Sequence, residues 1–209
     1  MKHCFIVLLF VTAVTIGCKK TKYVNINPDL KNAFFYKVGS YWIYTDSLSS
    51  DIDSFFVTNS SDAHDMTTDN QNEEHINIDI SEYTKHATGL VDTNVWTLLI
   101  ARNYLTFTWL KMPSTNTYID YNYIYYPFEV GPLTQYTTTA GTIDSVGISC
   151  LVNKNTFSSV AIISFYDSSL AFNDIFYLNA ANGLIKLKLA HPKININRIW
   201  ELARWHIEK

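Results

Sequence analysis

The sequence predicts an all-β domain, built as an antiparallel curved sheet or an incomplete barrel, with a β-sandwich as the alternative. Several segments alternate apolar and polar residues with a period of two, as Ile76, Ile78 and Ile80 do, and this pattern indicates strands with one buried face. Hydrophobic residues make up 47% of the chain and aromatic residues 15%, which suits a large β core. A chain with so many apolar faces must close around an interior, so we favour the curved sheet.

The first segment of the chain has the features of an export signal. One lysine is followed by an apolar run through Val14, and the segment ends in Thr15-Ile16-Gly17-Cys18. The apolar run is shorter than the roughly 20 residues that a membrane-spanning helix needs. A positive start and a small residue before the cleavage site are typical of a leader, so we predict a signal peptide over residues 1–17.

The residues before Cys18 resemble the lipobox of bacterial lipoproteins, although Thr15 stands where leucine is commoner. The resemblance implies that Cys18 becomes the first mature residue and carries palmitate-like acyl chains, and at about 0.8 kcal/mol per buried CH₂ even two chains would hold the protein on a membrane. Lys19, Lys20 and Lys22 follow, without the acidic stretch that tends to accompany surface export in Bacteroidetes lipoproteins. We therefore expect an outer-membrane lipoprotein that faces the periplasm; the alternative is a secreted protein cut before Cys18.

The remaining chain is expected to hold a polar tether over residues 18–33 and a single β-rich domain over residues 34–209. Loss of the leader removes only Lys2 among the charges and leaves 15 basic and 19 acidic residues, a balance that argues against a nucleic-acid partner. Cys150 then has no partner for an intrachain disulfide, and its place in a strand with Val146, Ile148 and Val152 predicts that it faces the core.

Turn signals define several elements of the predicted sheet. A polar stretch over residues 59–74 is predicted to be a long exposed loop. Residues 95–111 form the clearest hairpin, with its turn at Arg102-Asn103, and Asn182-Gly183 marks a second hairpin because both residues tolerate positive φ. Residues 198–208 are expected to form a final strand, although their apolar spacing also fits a helix.

Short motifs of glycine and aromatic residues are similar to those of uncharacterised Bacteroidetes cell-envelope lipoproteins. Members of this family open on a lysine, an apolar residue, a glycine and a Tyr-Trp-x-Tyr strand. The matching segments here are residues 37–44, 126–131 (YPFEVG), 140–143 (AGTI) and 183–186 (GLIK). The resemblance implies a shared fold and carries no catalytic residue across.

Three sets of residues in the sequence are candidates for a functional site. A metal site could use His64, Asp65, Glu73, Glu74, His75 and His86, but their spacing matches no recognised ligand set, so we predict no metal and no cofactor. A hydrolase would need convergent acids or a Ser-His pair, and no such motif is present in the sequence.

The third set is a run of tyrosines. In a strand, Tyr121, Tyr123 and Tyr125 would share one face and could stack on sugar rings. The alternative is that this face packs into the core, since strands recruit tyrosine for packing.

Together these features predict a membrane-anchored envelope lipoprotein, non-enzymatic, that binds a partner or a small apolar ligand. The alternatives are a glycan-binding accessory lipoprotein that uses the three tyrosines and a hydrolase. The oligomeric state is left open.

Overall fold

A computed structural model describes residues 21–67, 71–111, 117–121, 123–133, 139–167, 171–194 and 196–209. In these residues the chain forms fourteen strands of one sheet, one short α-helix and a 3-10 turn at Pro192–Ile194. The strands of the first half are β1 (Lys22–Val24), β2 (Tyr41–Asp46), β3 (Ile52–Met66), β4 (Gln71–Lys85), β5 (Val91–Ala101), β6 (Tyr104–Lys111) and β7 (Thr117–Asp120). Those of the second half are β8 (Ile124–Tyr125), β9 (Gly131–Pro132), β10 (Ala140–Val152), β11 (Asn155–Asp167), β12 (Phe172–Asn179), β13 (Gly183–His191) and β14 (Ile196–His206).

The sheet follows the order β7-β6-β5-β4-β3-β2-β14-β13-β12-β11-β10-β9 and does not close into a barrel. Its pairs are antiparallel except for β1, which runs parallel to the start of β4. At the middle, β2 pairs with β14, so a strand near the beginning of the domain lies beside the last one. The predicted all-β curved sheet is confirmed.

The sheet curves until its two halves face each other across one core. Phe176 of β12 lies 6.2 Å from Trp96 of β5 and 5.5 Å from Phe107 of β6, measured between ring centroids. The alternating pattern directs one side of each strand inward; Ile76 and Ile78 of β4 are fully buried. Interior and exterior therefore follow from the period-two pattern read in the sequence.

The domain begins before the predicted boundary at residue 34, because residues 22–34 pack on it. Strand β1 pairs with Gln71–Glu73, and a helix, α1 (Pro28–Phe34), buries Leu30 and Phe34 in the core. The side chain of Asn27 caps the helix by accepting hydrogen bonds from the amides of Asp29 and Leu30. Residues 22–33 of the expected tether over residues 18–33 are therefore part of the folded domain, because Leu30, Ala33 and Phe34 are spaced for one helical face and lie in the core.

The prediction of a long loop over residues 59–74 is wrong. Strands β3 and β4 extend through most of it, and the antiparallel register runs as far as Met66 opposite Asn72. The side chains are polar because this part of the hairpin reaches beyond the core, where neither face needs to be apolar.

The two predicted hairpin turns and the predicted final strand are present. Arg102, at φ 47°, turns β5 into β6, and Gly183, at φ 78°, follows the turn between β12 and β13. A side chain at residue 183 would meet the Tyr36 hydroxyl at 2.7 Å, so glycine is required there for space as well as for its backbone angle. Residues 196–206 form the final strand.

Cys150 is half-buried and packs against the core from β10. Val146, predicted on the same face, is exposed, because register shifts on both sides of Gly147 (φ 75°) interrupt the alternation of the strand. No helix in the described part of the chain is long and apolar enough to cross a membrane.

Candidate functional site

The inner side of the curved sheet is filled by the side chains of the protein itself. A cavity of about 30 Å³, with a wall that is mostly aromatic, lies in this interior. Phe34, Tyr36, Trp42, Tyr44, Phe55 and Trp96 contribute to this wall. A cavity of this size has room for a water molecule or two and is far smaller than the roughly 300–1,000 Å³ of small-molecule pockets, so it does not accommodate a small apolar ligand.

Two carboxyl groups lie side by side within this interior. Asp53 of β3 and Glu82 of β4 are 0% and 3% exposed, and Glu82 accepts a hydrogen bond of 2.7 Å from the indole Nε1 of Trp96. Burial raises the pKa of Asp53 well above its usual range, and the charge and hydrogen bond of Glu82 raise it further, although Thr84 donates to Asp53 and opposes the rise. The environment therefore favours a proton on one of the two carboxyl groups, because two adjacent charges are not stable in an apolar interior.

A second buried acid, Asp174 of β12, lies across the core. Its carboxylate accepts a hydrogen bond of 2.8 Å from the Tyr121 hydroxyl and lies 2.8 Å from Nε2 of His191, and the amide of Ala190 donates to it as well. The imidazole of His191 stacks on Phe172, with ring centroids 5.1 Å apart. Burial raises the pKa of Tyr121, and the negative charge of Asp174 adds to this rise.

Trp96 and Tyr121 connect the two acidic sites. Their rings are nearly parallel, with an angle of 4° and a centroid distance of 6.2 Å, and each donates to a different acid, Trp96 to Glu82 and Tyr121 to Asp174. We call the series Asp53, Glu82, Trp96, Tyr121, Asp174 and His191 the core polar chain. It joins β3, β4 and β5 to β12 and β13 through the interior.

The three predicted ligand-binding tyrosines do not share one face. Tyr121, directly after β7, is 1% exposed and belongs to the core polar chain. Tyr123 and Tyr125 are half-buried at the edge of the sheet, where Tyr123 stacks on Tyr104 at 4.5 Å and Tyr125 contacts the edge of the same ring at 5.9 Å. Tyr121 therefore packs into the core, which is the alternative given for these tyrosines in the sequence analysis. Tyr123 and Tyr125 lie near the surface.

A cleft of about 400 Å³ opens beside Tyr125. We call it the edge cleft; its described walls are Asn103 at the β5–β6 turn, residues 125–127 and 129–133, and Ile143. The backbone amide of Tyr126 donates to the carbonyl of Asn103 and closes one side. The Tyr126 ring packs edge-on against Phe128, which in turn contacts Phe34 of α1, so the cleft wall is attached to the core.

The candidate metal ligands are distributed over several ion pairs. Glu74 binds Lys31, Glu73 binds Arg102, and His75 lies 3.4 Å from Asp65. In the part of the chain that the structure describes, no three histidine, cysteine or acidic side chains form a metal-binding group.

His86 lies at the far end of β4, between two carboxylates: Nε2 is 3.0 Å from Asp92 and Nδ1 is 2.8 Å from Asp51. The hydrogen bond with Asp92 raises the pKa of His86, and Asp51 adds to the rise. Burial alone would raise the pKa of Asp51, but the amide of Ala87, the His86 ring, Ser49 and Arg198 outweigh it and lower that pKa.

These contacts bear on hydrolysis. Four of the six histidines, including His86 and His191, bind carboxylates. The adjacent acids Asp53 and Glu82 are 0% and 3% exposed, so a substrate in solution has no access to this pair. Sequence reasoning missed both acids and Asp174, although each occupies an inward position of its strand, in phase with buried residues such as Phe55, Ile80 and Phe176.

Comparisons with known proteins give little further information. No family model matches the chain, and no curated protein matches it in sequence. Among solved structures, the chain is similar to a Bacteroides fragilis protein described as exported and as having a YmcC-like fold. The two share 9% identity over 83% of this chain and 99% of that chain, with a TM-score of 0.48. A likeness of this degree carries no functional information.

Proposed function

We propose that the protein is a non-enzymatic lipoprotein of the cell envelope, anchored in the outer membrane through acylated Cys18 and facing the periplasm. The observation that carries the proposal is the leader over residues 1–17, which ends in Gly17-Cys18. The enclosed position of Asp53 and Glu82 favours a binding role over hydrolysis at that pair.

Substitution of the cysteine tests the anchor. Cys18→Ser should remove the acyl mass and leave unprocessed or soluble protein, whereas the matched control Cys150→Ser should stay in the membrane fraction. Membrane fractionation and intact mass measure both effects. Unchanged partition of Cys18→Ser would refute the anchor.

The ligand, in this proposal, binds at the surface. The interior cavity of about 30 Å³ is too small for one, whereas the edge cleft offers about 400 Å³ beside two tyrosine rings. Native intact mass, recorded before and after denaturation of protein purified gently from its membrane, tests for a retained ligand. A mass lost on denaturation, beyond the acyl chains, would identify its class, and a bare mass would favour a protein partner.

A glycan is the second candidate, and the composition of the edge cleft favours it. Tyr125 and Tyr126 supply ring faces and edges, while Asn103 and Glu129 supply polar groups beside them, which is the combination that sugar rings need. The exposed carboxylate of Glu129 can accept hydrogen bonds from sugar hydroxyls.

Binding to a panel of immobilised oligosaccharides tests the glycan proposal. Tyr125→Ala and Glu129→Gln should each weaken retention while leaving the melting temperature nearly unchanged. Tyr166→Ala, an exposed tyrosine on β11, is the control and should bind normally. Equal retention of all three variants would rule out the edge cleft as the sugar site.

A further inference from the structure

The distance between the proposed anchor and the folded domain is short. Lys22, the first residue of β1, follows Cys18 by four residues, and β1 is fixed to Gln71–Glu73 at the start of β4. Four residues span at most about 14 Å when fully extended. If Cys18 is acylated, as proposed above, this end of the β3–β4 hairpin lies close to the lipid surface.

The length of the β3–β4 hairpin also shows which end of the domain is far from the proposed anchor. Its strands are fifteen residues long, which corresponds to about 50 Å at about 3.3 Å per residue. His86 and Leu90, at the turn from β4 to β5, lie at the opposite end. The anchor therefore acts on one end of an elongated element.

The near end exposes two residues suited to a lipid interface. Met66 and Tyr23 are the direct neighbours of Asn72, one on each side of β4, and they are 60% and 66% exposed. We call Tyr23, Met66 and Asn72 the hairpin end. Tyrosine is favoured at the level of lipid headgroups, and methionine offers a flexible apolar side chain.

The charges around the hairpin end are compatible with an anionic surface. Asp62 and Glu74 bind Lys31, and both carboxylate oxygens of Glu73 accept from Arg102. Lys31 and Arg102 thus offset two of these three negative charges within the protein. Lys19, Lys20 and Lys22 precede or begin β1, and lysines near an anionic membrane contribute up to about 1 kcal/mol each.

We propose that the hairpin end rests on the lipid surface that holds Cys18, with Tyr23 and Met66 in the headgroup region. The domain is then docked on the membrane by its near end, and the turn between β4 and β5 points away from it. This inference rests on the proposed acylation of Cys18.

Site-specific fluorescence on the full lipidated chain tests the proposal. In a Cys150→Ser background, an environment-sensitive dye is placed at His64→Cys, exposed near the hairpin end, or at Leu90→Cys, 69% exposed at the far end. The protein is reconstituted in phosphatidylethanolamine–phosphatidylglycerol vesicles that contain a quencher on the lipid chains. The dye at residue 64 should shift to the blue and lose emission to the quencher, while the dye at residue 90 should do neither.

Two further variants separate the contributions. Tyr23→Ser combined with Met66→Ser should reduce the quenching at residue 64, and a flexible Gly-Ser insertion between Lys20 and Thr21 should reduce it further, because the domain can then leave the surface. Intact mass reports acylation independently. Equal emission at residues 64 and 90 in protein of confirmed acyl mass would overturn the docking and leave the anchor intact, whereas protein without the acyl mass would overturn both.

Discussion

The two acidic sites of the core polar chain contain the same functional group in opposite surroundings. Asp53 lies beside another acid, Glu82, whereas Asp174 lies beside two donors, the Tyr121 hydroxyl and the His191 imidazole. Both carboxyl groups are fully buried. One site must retain a proton, and the other is stabilised by the hydrogen bonds it accepts.

This contrast shows that the partner across the sheet determines what a buried acid contributes to stability. At Asp53 the hydrogen bond from Thr84 is opposed by the neighbouring acid Glu82, whereas Asp174 accepts hydrogen bonds from the Tyr121 hydroxyl and the Ala190 amide and has no acid beside it in the core polar chain. Loss of the Asp174 contacts should therefore weaken the fold, while removal of the charge at Asp53 should not. The following changes test this difference.

The largest effect is expected for Asp174→Ala. The change leaves the Tyr121 hydroxyl and the His191 ring buried without this acceptor, and each buried polar group that loses its partner costs about 1–3 kcal/mol. Urea unfolding measures the loss. Asp174→Asn, which keeps an acceptor oxygen, should lose less; equal losses would mean that the contacts of the carboxylate do not matter.

Tyr121→Phe should cost less, about 1–3 kcal/mol, because it removes one donor to Asp174 and leaves the aromatic packing in place. The same unfolding experiment on Tyr166→Phe provides the control. This exposed tyrosine should change the free energy of unfolding by no more than about 0.5 kcal/mol. If Tyr121→Phe left the free energy of unfolding unchanged, the hydrogen bond from Tyr121 to Asp174 would not contribute to the stability of the fold.

Asp53→Asn should change how stability depends on pH. Because the folded-state pKa of Asp53 is raised, the native protein binds more protons than the unfolded chain above the ordinary carboxyl pKa, and this residue destabilises the fold as the pH rises. Asparagine carries no such penalty. Relative to wild type, the variant should gain stability progressively as the pH rises from about 4, near the ordinary carboxyl pKa, to about 8.

Chemical denaturation across this range measures the gain of Asp53→Asn. A constant difference between variant and wild type would contradict the raised pKa. A gain at Asp53 together with a loss at Asp174 would establish the contrast directly.

The smallest effect on stability is expected at His86, whose ring lies between the carboxylates of Asp51 and Asp92 near the surface. Its raised pKa means that the protonated ring adds stability below its ordinary pKa, and that this contribution is lost as the pH rises through the folded-state value. His86→Gln should therefore lower the melting temperature by about 1–2 °C at about pH 5.5 and by less at about pH 9. A larger loss at the higher pH would reverse the assignment.

The sequence pattern predicted most of the sheet because burial on one face imposes a period of two. The same pattern contained a signal for the buried acids: Asp53 is in phase with Phe55 and Val57, and Asp174 with Phe172 and Phe176. An acid at an inward position needs a hydrogen-bond partner. For Asp174 one such partner is the hydroxyl of Tyr121, which is 53 residues earlier in the sequence. Register within a strand could be predicted; the contacts between the two halves of the sheet could not.

The elements that were not predicted lie where the period-two rule loses its basis. The outer part of the β3–β4 hairpin is polar on both faces, so it resembles a loop in sequence. The tyrosine run is predicted as one strand, but β7 ends at Asp120 and β8 begins at Ile124, so the alternation is interrupted between Tyr121 and Tyr125. Of the candidate site, only Tyr125 of the edge cleft was identified from the sequence.

The pairing of β2 with β14 has a consequence for the order of folding. Residues 41–46 cannot complete the middle of the sheet until residues 200–206 are present, which makes this contact one of very long sequence separation. Such contacts form late and slowly, because a long loop must close before they are made. A nascent chain of this topology would lack its central strand pair until nearly all of the domain had been synthesised. Until then it would remain unfolded enough to pass through a translocation channel.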